Sequence, residues 1–288
     1  MCKNIYKYVT SLKDDDSAFD LALGDIKAGT IKSAHPSVSL FIKHFYKYKD
    51  CIDTALLKHQ RRIFLELLNS PKHVKQIANL NRGEARGAKS INVFIDSLFD
   101  RRAKLLLVRV DLYYDRQKDS QQADRNFDEL KYDRDTFLQK LRRDYSHLFG
   151  YLWKLEYKES RGYLLHMLVI FDGNKVQNDI ALGKAIGTTW IKLDKTRAYW
   201  NSNADKQKYE EWGTHAVGKV HYADTDKIDN LKNYVIGHLV KMDPYLIARM
   251  PRRFRTYGKS EVPLMAIGGR PRDILISYKP HISKNLWY

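Results

Sequence analysis

The chain has 288 residues, long enough for one large domain or two smaller ones, and at 43% hydrophobic content each can have a core without disulfide staples. Lys and Arg total 51 against 34 Asp and Glu, a formal charge of +17 that points to a polyanionic partner, nucleic acid first, with a merely basic protein as the ordinary alternative. The two cysteines, Cys2 and Cys51, lack zinc-finger or CxxC spacing, no apolar run reaches the ~18–20 residues of a membrane span, and Met1–Asp16 is unlike a signal sequence, so a soluble protein of the bacterial host cytoplasm is expected, with no membrane partner.

The first 35 residues read as a loosely ordered lead-in with one short helix around Ser17–Ile26. From Pro36 apolar residues recur at three- and four-residue steps, through Leu40, Phe41 and Phe45, then Ile52, Leu56 and Leu57, then Ile63, Phe64, Leu67 and Leu68. Ser70-Pro71 has the form of an N-cap followed by proline at the first helical position. Asn81–Ala88, with Gly83 and Gly87, reads as a loop, and a further helix is expected over Ile91–Phe99. At Leu105 the period changes to LLLVRVDLYY, a strand buried on both faces with Asp111 inside it. A soft boundary therefore falls near Arg102, giving a mainly helical region 1–102 and a second region 103–288.

Asp115–Arg125 is expected to be a loop and Phe127–Tyr145 a helix. Trp153–Tyr157 and Tyr163–Phe171, joined by a polar turn at Lys158–Gly162, form a hairpin or two neighbouring strands. Side chains alternate faces along a strand, so Leu164, His166 and Leu168 share one face, and Glu156 can meet them across the ladder. A helix over Ile180–Thr189, an unassigned aromatic and basic segment Asp194–Trp212, a strand at Gly218–Tyr222 and an amphipathic helix Ile228–Met242 follow, before an Arg- and Lys-rich tail. This order implies an α+β fold, an antiparallel central sheet with flanking helices, here expected on one face.

The blocks LLLVRVDL, GYLWKLE, RGYLLHMLVIFDG, YVIGHLVKMDPYL and RRFRTYGKS, over roughly Ala103–Ile276, resemble the replication initiators of filamentous phages and their prophage-encoded YagK/YfjJ-type relatives, within the HUH superfamily of rolling-circle endonucleases. The resemblance implies a metal-dependent nickase for single-stranded or hairpin DNA, using Mg or Mn on a His-hydrophobic-His strand plus an acid, with a tyrosine nucleophile that leaves a 5′-phosphotyrosine. Glu156 and His166 match metal positions and Asp111 the acidic position of the first strand. Two positions depart: the first His is Leu164, and the nucleophile slot of Tyr-Leu-x-Lys-x-Asp holds His238, followed by Lys241 and Asp243. Tyr234, one turn before His238, is the candidate replacement, with His238 itself a surrogate.

Each residue also has an ordinary reading: Glu156 as a solvated carboxylate, His166 as a core histidine, Tyr234 as packing, Asp111 as a partner of Arg109. Phosphate contacts are expected from Arg249, Arg252, Arg253, Arg255 and Lys259, and from Lys195 and Arg197 among Tyr199, Trp200, Tyr209 and Trp212, which could stack unpaired bases. A binding protein that has lost nicking, and an RNA-binding protein on a similar sheet, are the alternatives.

Overall fold

The structure is a computed structural model and describes residues 35–48, 53–114, 127–158, 162–211, 215–243, 246 and 254–264. The helix expected over Ser17–Ile26, the loop Asp115–Arg125, and Arg249, Arg252, Arg253 and Trp212 lie outside them, as does the side chain of Tyr209.

Among the described residues three α-helices come first. α1 (Pro36–Phe45) starts at Pro36 behind His35, whose ring accepts from the Ser37 N–H; α2 (Thr54–Leu68) is capped by Asp53; α3 (Pro71–Arg101) is capped by Ser70, whose hydroxyl accepts from the His73 N–H. Phe41, Phe45, Phe64 and Val38 form a small core between α1 and α2. The Ser37 hydroxyl, 3.1 Å from His73 Nε2, ties α1 to α3.

The loop expected over Asn81–Ala88 is instead the middle of α3. Glycine weakens a helix by about 0.5–1 kcal/mol relative to alanine, and tertiary contact outweighs that here. A Cβ on Gly87 would stand 2.5 Å from the Tyr257 hydroxyl, so the missing side chain makes room for the Tyr257 phenol against the helix. One turn earlier Glu84 accepts a 2.8 Å hydrogen bond from the Met242 N–H.

Among the described residues six antiparallel strands form the sheet: β1 (Lys104–Tyr114), β2 (Leu148–Lys158), β3 (Gly162–Asp172), β4 (Arg197–Asn201), β5 (Gly218–His221) and β6 (Tyr257–Lys259). Their order is β4-β1-β3-β2-β6, and β5 pairs the other end of β1. The hairpin expected at 149–173 is β2 and β3, and every residue of β3 is buried. β4 covers Val110–Tyr114 and β5 covers Lys104–Leu107, which leaves a gap on the edge of β1. Fully buried Asn203 fills it, accepting from the Arg109 N–H and donating to the Leu107 carbonyl, so that edge keeps its hydrogen bonds.

Helices cover both faces, not the single face expected. On one side Leu106, Val108, Val110 and Leu112 pack with α4 (Phe127–Asp144) and α5 (Asp179–Ile191) through Phe137, Leu141, Ile186 and Trp190. On the other, Leu105, Leu107, Leu168 and Ile170 pack with α3 and with a helix running from Thr225 to Val240. That helix is built from α6 (Thr225–Asn230), a π segment (Leu231–Ile236) and a final turn (Gly237–Val240), where one regular amphipathic helix was expected.

α5 reaches β4 through Gly183 and Gly187, one turn apart, where a Cβ would collide with Asn201 and with the Tyr199 ring. The ring is pinned between helix and sheet, so Gly187→Ala is expected to destabilise the protein by about 1–3 kcal/mol despite alanine's better helix propensity. Urea denaturation measures this, and an unchanged or raised midpoint would show that helix and strand can part without cost.

Candidate active site

The face of the sheet that packs on α3 is apolar at one end and polar at the other. Register explains the change: Asp111 on β1 and Lys154 on β2 are both Cα partners of His166 on β3, while Glu156 pairs with Leu164 two residues on. Period-two alternation therefore puts Arg109, Asp111, Lys154, Glu156 and His166 on one side of three adjacent strands.

His166 is 2% exposed, so neither ring nitrogen can rely on water. Nδ1–H donates to Asp111 Oδ1 at 2.7 Å and Nε2–H donates to Glu156 Oε2 at 2.7 Å. Behind the carboxylates, Arg109 Nε lies 3.8 Å from Asp111 and Lys158 Nζ 3.2 Å from Glu156. Burial alone would lower the imidazole pKa, but the two carboxylates outweigh it and raise it. Burial likewise pulls the Asp111 carboxyl up, yet the His166 hydrogen bond and charge, with Arg109, hold it at about 2. Glu156 is depressed in the same way, against its burial, by His166, Lys154 and Lys158. The array is a buried imidazolium bridging two carboxylates.

Above it lies the Thr225–Val240 helix. The His238 ring packs edge-on against His166 with centroids 5.2 Å apart. Burial, with the Lys154 and His166 charges beside it, pushes the His238 imidazole down to about 3, so this ring is neutral. Buried Lys154 donates to the His238 carbonyl at 2.9 Å, and burial lowers its own pKa. Asp243, just past the helix, accepts from the Tyr157 and Leu246 N–H groups and fastens the helix end to β2. Tyr234 is in the π segment and 46% exposed, and Lys241 is exposed at the helix end.

The candidates thus divide. Asp111, Glu156, His166 and His238 meet. Donor atoms of Glu156, His166 and His238 lie within 4.8 Å of one another, so their N and O donors, backed by Asp111, fit a divalent cation. Lys154 was not singled out by sequence, although alternation from Glu156 places it on the same face. Lys195 and Arg255 are exposed; Lys259 is exposed and donates to the Ser90 carbonyl. Arg197, expected at a nucleic-acid surface, is instead 6% exposed, ion-paired with Asp133 at 2.7 Å and stacked over Trp190, because β4 turns its side chain into the core. Trp200 is 49% exposed, whereas Tyr199 packs on Gly187.

A family profile described as the YagK/YfjJ C-terminal domain matches residues 69–221, more than half of the chain. The chain belongs to this family. It is a prophage-type family, and the match contains Asp111, Glu156 and His166 but ends before Tyr234 and His238. No curated protein and no solved structure matches the chain. Among the described residues no helix is long and apolar enough to cross a membrane.

A raised folded-state pKa at His166 contributes stability that is complete below the unfolded value of 6.5 and is lost as pH rises through the folded value. His166→Gln removes the bridging charge and is expected to cost about 3–5 kcal/mol at pH 6. The gap between wild type and variant in urea midpoints should narrow at alkaline pH, and a gap that is flat from pH 5 to pH 9 would contradict the bridging imidazolium.

Proposed function

We propose that this protein binds DNA as a replication-initiator-type protein of a phage, a prophage or another mobile element. The observation that carries the reading is the meeting of Asp111, His166 and Glu156 on the sheet, beneath a helix that presents Tyr234 and His238, in a chain of charge +17. In support, Asp111, Glu156, His166 and His238 lie in contact although they come from four separate stretches of sequence, with Tyr234 half-exposed on the same helix as His238. The exposed cations Lys195, Lys241, Arg255 and Lys259 suit phosphate contact, and exposed Trp200 suits stacking on an unpaired base.

Fluorescence anisotropy with one hairpin sequence made as DNA and as RNA, over a salt series, tests this. DNA is expected to bind more tightly, with Lys195→Ala and Arg255→Ala each reducing the log–log salt slope by about 0.7–0.9, according to whether the loop or the stem is contacted. Equal affinity for the RNA hairpin, or binding indifferent to salt, would point away from it.

The exposure of Tyr234 favours a second reading, single-strand cleavage. Its phenolic oxygen would give up its proton and attack a backbone phosphorus, forming the Tyr–O–P bond, while the P–O3′ bond breaks and the departing 3′-oxygen takes up a proton in its place. A divalent cation on Glu156 and His166 would supply Lewis-acid polarisation of that phosphate. Incubating labelled single-stranded DNA tiled across the locus that encodes the chain with protein and Mn2+ is expected to give a covalent adduct that Tyr234→Phe abolishes. Binding without any adduct would leave the first reading standing and end this one.

A further inference from the structure

We propose that Glu156, His166 and His238 form a first-row transition-metal site in which His238, brought in by the helix, supplies the imidazole that the strand lacks at Leu164. This deepens the reading above, since it places the cation on the same sheet face, but DNA binding does not depend on it. The donors already converge from three elements: Glu156 from β2, His166 from β3, His238 from the helix above, all within 4.8 Å. Two donors each roughly 2.1 Å from one ion stand no more than about 4.2 Å apart, so side-chain adjustments of about half an ångström suffice. Glu156 Oε2 and His166 Nε2 would exchange their mutual hydrogen bond for the ion, the Nε2 proton leaving to solvent.

What surrounds the donors fits ligation. Asp111 holds His166 Nδ1–H at 2.7 Å, the carboxylate partner that fixes a ligating imidazole's tautomer and leaves Nε2 facing Glu156. His238 is neutral, with its backbone fixed by Lys154, so its ring is held over His166. Leu164, on the same face, is 1% exposed and apolar, so the strand has no second nitrogen to offer. Two imidazoles and one carboxylate favour Zn2+, Co2+ or Mn2+ over Mg2+, which prefers an all-oxygen shell. Lys154 and Lys158 oppose a cation here, but their ammonium groups are already engaged, Lys154 with the His238 carbonyl and Lys158 with Glu156. Asp111 would act as a positioning residue.

The test is titration of the full metal-free chain with Co2+, followed by visible absorption, and with Zn2+, Mn2+ and Mg2+ by calorimetry. One Co2+ per chain with d–d bands is expected, with Zn2+ and Mn2+ preferred to Mg2+. His238→Leu and His238→Gln should each weaken Co2+ by more than the roughly 10–100-fold expected of Asp111→Asn, while His221→Gln changes nothing. Should those variants misfold, Mn2+ should broaden the His166 and His238 ring resonances of the unsubstituted chain before those of His221. Unchanged Co2+ affinity in a folded His238 variant, broadening confined to His166, or no binding at all overturns the proposal. DNA affinity measured in parallel in chelator separates the two readings: DNA binding retained without metal binding sinks this inference alone.

Discussion

A histidine with almost no access to water sits in the most buried strand of the sheet, and it can be there only because a carboxylate meets each ring nitrogen. Those partners come from the strands on either side, so the polar line crosses β1, β3 and β2 and ties their registers together. A slip of one residue would turn His166 into the apolar layer beneath α4 and α5 and strand both acids. The apolar pattern of the strands makes the sheet; this line of charge selects one alignment of it.

The site is also shared between sheet and helix. Lys154 reaches up to the carbonyl of His238, Glu84 on α3 holds the backbone at Met242, and Asp243 accepts from the Tyr157 and Leu246 N–H groups at the same end. Three contacts from different elements thus fix the end of the helix that carries Tyr234 and His238. Groups held in this way keep their spacing when a ligand arrives, which is what a binding or catalytic constellation requires.

Much of this was legible from the residue pattern. Period-two alternation was enough to place Glu156 opposite the His166 face, and Ser70-Pro71 marked the start of α3. Other parts were hidden for physical reasons. Gly83 and Gly87 look like a break because glycine's cost is local, whereas the Tyr257 side chain that lies on Gly87 is about 170 residues away in sequence. β4 and β6 are five and three residues long, too short for alternation to show, and both exist because a longer strand offers an unpaired edge. The signal for β4 was in α5, where glycines four residues apart announce a backbone or ring coming close. Arg197 was misplaced because composition counts a guanidinium as surface, and only the fold shows that Asp133 and Trp190 enclose it.

The π segment has a consequence for how such chains are compared. A π turn closes its hydrogen bond over five residues instead of four, so everything before Leu231 is rotated about the axis relative to what an unbroken α-helix would give. Tyr234 lies inside that segment and His238 just after it, so the angle between their side chains about the axis differs from that of an i, i+4 pair on an α-helix. A position assigned by counting letters along a relative's helix can name the wrong side chain, and losing one residue from this coil would turn a different part of the helix toward His166.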